Sequence, residues 1–172
     1  KIHLNMKKNL LWFFGLAILA ATTFSTTSCN SDPCKDVKCG DHGTCFDGAC
    51  VCDQGYEGTN CDVEWKTKYL GNYNTAETCV GSSAVSNYSN TITQGADALT
   101  LSISNFGDSN AFGTATITEA GKVTVASQTI SINGNPVTVA GDGTYDNGVL
   151  TIHYTGSGSG VSFDCTAVMT KQ

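Results

Sequence analysis

Arginine is absent from all 172 residues, so the nine cationic side chains are all lysines. Three of these lysines and none of the fifteen acids fall in residues 1–28, which leaves the rest of the chain strongly acidic. An acidic surface repels phosphate backbones, and without arginine it lacks the planar bidentate donor used by most phosphate and base-edge readers. Nucleic-acid binding is therefore not expected. The charge favours solubility and cationic partners but does not by itself specify one. Histidine is nearly absent too, with His3, His42 and His153 as the whole supply. No segment combines helical periodicity with capping residues. No serine or cysteine sits in a nucleophile-elbow setting. Carboxylates are scattered: Asp142 and Asp146 flank a turn, and Asp164 alternates away from the apolar set. Glycosidase chemistry needs two carboxylates facing one cleft, and nothing in the order of residues favours that. His153, mid-strand between Ile152 and Tyr154, reads as a solvated outer-face residue. No catalytic residue, metal site or cofactor is expected, and the chain is read as a non-enzyme.

Long apolar runs are also missing. The longest, Leu10–Ala21, has twelve residues, too few to span a ~30 Å hydrocarbon core at ~1.5 Å per residue. It follows Met6, Lys7 and Lys8, and small polar residues ending in Ser28 follow it. This is the basic, apolar, small-residue order of a secretory signal. Residues 1–28 are read as that signal, with Met6 as the start. The stretch Thr26-Thr27-Ser28-Cys29 resembles the lipobox of bacterial lipoproteins, in the relaxed Bacteroidetes-type form, although Thr26 stands where Leu is usual. The resemblance implies cleavage before Cys29 and diacylglyceryl and acyl chains on it, an anchor that several chains make stable. The expected location is the cell envelope, as an outer-membrane lipoprotein. The lone Asp32 does not decide between the periplasmic and surface leaflets.

The chain is rich in cysteine. Besides Cys29 there are Cys34, Cys39, Cys45, Cys50, Cys52 and Cys61 in one cluster, and Cys79 and Cys165 far apart. Nine is odd, and lipid on Cys29 would leave an even set. The cluster reads C-x4-C-x5-C-x4-C-x-C-x8-C, without the C-x2-C knuckles of zinc sites. In an oxidising compartment it reads as a disulfide framework, for which spacing alone permits fifteen pairings. "CGDHGTC" and "CVCDQGYEGTNC", with Gly55, Tyr56 and Gly58 in place, resemble the EGF-like domain. The resemblance implies Cys34–Cys45, Cys39–Cys50 and Cys52–Cys61, with Tyr56 beside the last bond. The acidic run of calcium-binding members is reduced to Asp32, so no calcium site is expected. His42 fills a variable position and is expected to be solvated. Residues 29–33 form a lipidated tether too short to lift the module more than roughly 20 Å from a bilayer. The module is assigned to 34–62 and a linker to 63–68.

Residues 69–172 change texture to Thr, Ser, Gly and aliphatics in alternation. Leu99, Leu101 and Ile103 share a face, as do Ala115 and Ile117. Val123 and Val125, Ile130 and Ile132, Val137 and Val139, and Leu150, Ile152 and Tyr154 repeat the pattern. Val161, Phe163, Cys165, Ala167 and Met169 close it. Period-two alternation between turn signals indicates antiparallel strands, with Asn147-Gly148 a type I′ hairpin candidate. About eight strands suit an up-and-down barrel, with a two-sheet sandwich as the alternative. A Cys79–Cys165 bond would tie the first strand to the last.

Gly71-x-Tyr73, "LSISNFG", the Gln128-containing strand and "GDGTYDNGVLTIHYT" resemble small calycin-like (lipocalin- or avidin-like) barrels of Bacteroidetes lipoproteins. The resemblance implies a barrel that holds a small, partly apolar ligand. The candidate lining at one mouth is Phe106, Phe112 and Tyr145. The alternative is an interaction module with a filled core, presenting loops such as "SNYSN" (Ser86–Asn90) to an extracellular protein or glycan.

Overall fold

The computed structural model describes residues 32–172. The stretch read as a signal, 1–28, the lipidation candidate Cys29, and residues 30 and 31 of the expected tether lie outside the described residues.

Two small hairpins build the first unit. β1 (Gly43–Phe46) pairs with β2 (Ala49–Cys52), and β3 (Tyr56–Glu57) pairs with β4 (Val63–Glu64), both antiparallel. Disulfides join Cys34 to Cys45, Cys39 to Cys50 and Cys52 to Cys61. These bonds stand in for a hydrophobic core, since Cys61 is the only fully buried hydrophobic residue in the module. Gly43 backs onto the last bond: a Cβ there would lie 2.6 Å from the Cys61 sulfur. His42 is not simply solvated. Its ring is half-buried and stacks on Tyr56 at 3.7 Å between centroids, 10° from parallel.

The stretch expected to be a linker is structured. Val63 and Glu64 are the β4 strand, and Trp65–Lys68 form a 3-10 turn that packs Trp65 against the second unit's core. The Trp65 amide donates to the Gly55 carbonyl at 2.8 Å. The Lys68 ammonium meets Glu57 at 3.3 Å. Gly55, at φ 97°, holds a backbone conformation that residues with side chains rarely adopt, and it packs against the Leu99 side chain, whose Cδ2 would lie 2.9 Å from a Cβ there. The two units therefore share a packed junction, and residues 63–68 tether them too closely to act as a free hinge.

The second unit is a closed eight-stranded barrel. β5 (Gly71–Cys79), β6 (Val85–Gln94), β7 (Thr100–Ile103), β8 (Gly113–Glu119), β9 (Lys122–Ile132), β10 (Asn135–Asp146), β11 (Val149–Gly158) and β12 (Val161–Lys171) run up and down, each antiparallel to the next. β12 returns to β5 in a register from Cys165 opposite Cys79 to Lys171 opposite Tyr73. This closure removes every exposed strand edge and sets the sandwich aside. A disulfide joins Cys79 to Cys165 across the closing pair. Tight turns suit the strand twist: at Asn147-Gly148 φ is 46° and 85°, as a two-residue type I′ loop demands. The interior is filled mid-barrel by Leu101, Ile117, Val123, Val139, Leu150, Ile152 and Met169, all essentially inaccessible. The outer wall is mostly Thr, Ser and Asn, the reverse of a membrane-spanning barrel's polarity. No helix among the described residues is long and apolar enough to cross a membrane.

The strand count of eight hides two compensating differences. "SNYSN", expected as a loop, lies within β6 and pairs with β5. The runs around Val123–Val125 and Ile130–Ile132 are one strand, β9, with a bulge between the positions opposite Gly141 and Val139. At the bulge the β8–β9 ladder lapses, and the Gln128 amide replaces it. It accepts from the Thr114 N–H at 2.8 Å and donates to the Thr114 carbonyl at 2.7 Å. Val161 is 51% exposed at the barrel rim and does not join the apolar face of its strand.

β6 is obscured because two of its inward positions, Tyr88 and Asn90, carry polar groups and only Ile92 is aliphatic. Asn90, buried, accepts from the Thr75 hydroxyl and donates to the Ser104 and Asn105 carbonyls at 2.6 and 3.0 Å. It thereby pins β5, β6 and the β7–β8 connection together. Asn90→Ala leaves the buried Thr75 hydroxyl and two half-buried carbonyls without this partner, so urea denaturation should show a loss of about 2 kcal/mol.

Candidate functional site

The two ends of the barrel differ. At the end facing the EGF-like module, Tyr69, Tyr73 and Tyr145 plug the opening. Tyr73 donates to the Tyr69 carbonyl and Tyr145 to the Lys68 carbonyl, each at 2.7 Å, and the Tyr69 and Tyr145 rings lie 4.6 Å apart. The Tyr69 hydroxyl is buried and no group among the described residues meets it in hydrogen-bond geometry. Burial raises its pKa, and the nearby Gly121 peptide offsets part of that.

The far end holds a cup of about 240 Å³, lined by Glu77, Ile130, Ile132, Tyr154, Phe163 and the Cys79–Cys165 bond. The lining is mostly apolar. Outer-wall troughs such as that over Asn74, Asn87 and Val168 are larger, about 460 Å³, but they lie open between solvent-facing strand side chains. Sequence makes the cup locally. Gly156 faces Phe163 across β11 and β12, and a Cβ at Gly156 would lie 2.0 Å from the Phe163 ring, so the ring lies over bare backbone there. Phe106 closes one side, edge-on to Tyr154 at 4.8 Å.

Glu77 is the polar centre of the cup. It is only 7% exposed, and both Tyr88 and Tyr154 donate their hydroxyls to its Oε2 at 2.7 Å. Burial first, and then the hydrogen bond to Glu77, push both tyrosine pKa values far above the ordinary value. The tyrosines therefore stay donors and Glu77 stays the acceptor. The other carboxylate oxygen, Oε1, has the Cys79 sulfur 4.0 Å away. A disulfide sulfur carries no hydrogen, so this is contact without a hydrogen bond. Glu77, Cys79 and Cys165 are close enough together to suggest a metal cluster, but sulfurs bound to each other are not thiolate ligands.

Sequence reasoning placed Phe106, Phe112 and Tyr145 at one mouth, and the structure separates them. Phe106 is buried beside the cup, Phe112 is 69% exposed on the rim and Tyr145 belongs to the plug at the opposite end. Phase explains this: the alternation that identified the strands does not say which end of a strand a loop aromatic serves. The sequence pattern does not mark Glu77, and it presents Tyr88 and Asn90 only as members of the SNYSN stretch rather than as inward residues. Their one available signal is that each occupies an inward position where the pattern calls for an aliphatic.

His153 and Asp164 face outward as expected, and they pair at 2.7 Å. Asp142 is opposite His153 in register and accepts from Thr124 at 3.0 Å. The imidazole is 61% exposed, so water surrounds it and no enclosed substrate position adjoins the pair.

Residues 34–64 match the family described as Teneurin-like EGF domain. No curated protein matches the chain. The chain thus carries an EGF-like domain of extracellular type, followed by an eight-stranded antiparallel barrel. Its four disulfides among the described residues are consistent with an exported protein.

Proposed function

We propose that this is a non-catalytic, lipid-anchored binding protein of the bacterial cell envelope, and that its calycin-like barrel holds a small, partly apolar ligand at the far end. The observation that carries the reading is the cup: an apolar hollow with one buried polar group, in a barrel otherwise filled. Its size falls below the ~300–1,000 Å³ of drug-sized sites, so the occupant is small. Val80, Val85, Phe112 and Val161, all at least half exposed, stand on loops and strand ends at the same end. Solvent-facing apolar residues gathered at one place favour an interaction there.

The lipobox-like stretch before Cys29 supports the anchor, and eight of the nine cysteines forming disulfides fits a separate role for the ninth. An anchor at Cys29 would place the EGF-like module next to the membrane and, through the packed junction, turn the cup outward. A second reading is an interaction module for an extracellular protein or glycan. The filled mid-barrel favours it, as do Phe46 and Val51, 74% and 57% exposed on the β1–β2 hairpin.

Mass spectrometry of the membrane-extracted protein tests both parts. The expected denatured mass begins at Cys29, carries acyl chains and lacks the hydrogens of four disulfides. The expected native spectrum adds one small adduct. An unmodified Cys29 would remove the anchor, and a native spectrum without any adduct would move the assignment to the interaction module.

A further inference from the structure

Resting on the reading of the far end as a ligand site, we infer that the cup selects a small organic monocation, an amine with an apolar body, with the Glu77 carboxylate as its counter-ion. Four observations converge on this. Glu77 is more than nine-tenths buried, yet among the described residues no lysine or histidine nitrogen pairs with it. A buried carboxylate demands compensation, and two tyrosine hydroxyls on one oxygen supply only part of it. Its second oxygen, Oε1, has no donor. An ammonium or protonated amine in the cup would supply both the charge and the missing hydrogen bond.

The lysines provide the third observation. Lys35 and Lys38 belong to the EGF-like module, Lys66 and Lys68 to the junction, and Lys122 and Lys171 to strand ends on the module side of the barrel. The far end carries Glu77 and Asp108 and no lysine. That polarity draws cations to the cup and repels anions.

The fourth observation is the chemistry of the walls. Tyr154 and Phe163 present aromatic rings, and Ile130 and Ile132 present aliphatic surface. Rings attract a cation through their π faces, and aliphatic walls take its hydrocarbon. A divalent metal does not suit the site, because hard cations take six or more oxygens and this cup offers one carboxylate and two phenols.

The test is calorimetric titration of the oxidised full-length protein with three probes of one skeleton: 2-phenylethylamine, 2-phenylethanol and phenylacetate. The amine should bind about tenfold or more tightly than the alcohol, and phenylacetate should give no heat. In Glu77→Gln the amine and the alcohol should bind alike. If that variant does not fold, the wild type still decides: raising salt from low to high should weaken the amine and leave the alcohol unchanged. Equal binding of amine and alcohol to the wild type would overturn the counter-ion role and leave the ligand cup standing. Tighter binding of phenylacetate would overturn it likewise. Failure of all three probes to bind would overturn the monocation assignment, and the native adduct then decides separately whether the cup is a ligand site at all.

Discussion

A Cys79→Ala, Cys165→Ala double variant is expected to keep its barrel and lose about 4–5 kcal/mol of stability in the chain-entropy model. The two cysteines are 86 residues apart in sequence and directly opposite each other in the closing strand pair. In the folded state the bond therefore restrains strands that backbone pairing already holds through seven registered positions. In the unfolded state it is the only link between the ends of the barrel sequence, so its removal acts mainly on the unfolded ensemble. Urea denaturation reads this directly. The midpoint should fall, and the slope should rise because the unlinked chain unfolds to a more open state. A loss under 1 kcal/mol with an unchanged slope would mean that the loop is already ordered in the unfolded chain. The bonds of the EGF-like module close spans of only 9 to 11 residues, and each constrains less chain. They matter for another reason, since the module has almost nothing else to bury.

That contrast also explains what could be read from the sequence. The EGF-like module is specified by covalent spacing and by glycines such as Gly43, which backs onto a disulfide, and Gly55, which holds a positive φ, and such features survive in a string of letters. The barrel is specified by alternation, which is legible wherever the inward residues are aliphatic: Ala115 and Ile117, Val137 and Val139, Leu150 and Ile152. It fails on β6, whose inward Tyr88 and Asn90 answer polar groups on β5, and on β9, where the bulge between the positions opposite Val139 and Gly141 shifts the phase between two readable halves. The cup escaped for the same reason. Glu77, Tyr88 and Tyr154 make sense together only once β5, β6 and β11 are placed around one hollow, and 77 residues separate the two ends of the Tyr154–Glu77 bond. Residues 63–68 read as linker because two short elements of two and four residues leave no period to detect.

Alkaline pH should unfold the protein steeply. Tyr73 and Tyr154 are 0% and 3% exposed. Desolvation raises both pKa values well above the ordinary value, with Tyr145 adding to it at Tyr73 and Glu77 at Tyr154. Tyr69 and Tyr88 shift the same way, also chiefly through burial. In the unfolded chain a tyrosine ionises near pH ~10, while in the folded chain these hold their protons. Below that pH both states are protonated and the contribution is complete and constant. Above it the unfolded state binds fewer protons than the native state, so stability falls as pH rises. Each fully buried tyrosine removes about 1.4 kcal/mol by pH 11 and about 2.7 by pH 12, and Tyr73 and Tyr154 together bring the loss into the range of a small domain's whole stability. Phenolate absorbance near 295 nm measures the event. It should appear for these tyrosines in one step that coincides with loss of the β-sheet circular dichroism signal. Tyr154→Phe should flatten the fall of stability with pH by one proton's worth, and it separates the hydroxyl on Glu77 from the ring packed on Phe106. If all six tyrosines ionised smoothly near pH 10 with the sheet signal intact, the plug and the cup would both be open to water, and the buried Tyr154–Glu77 bond on which the site depends would not hold in solution.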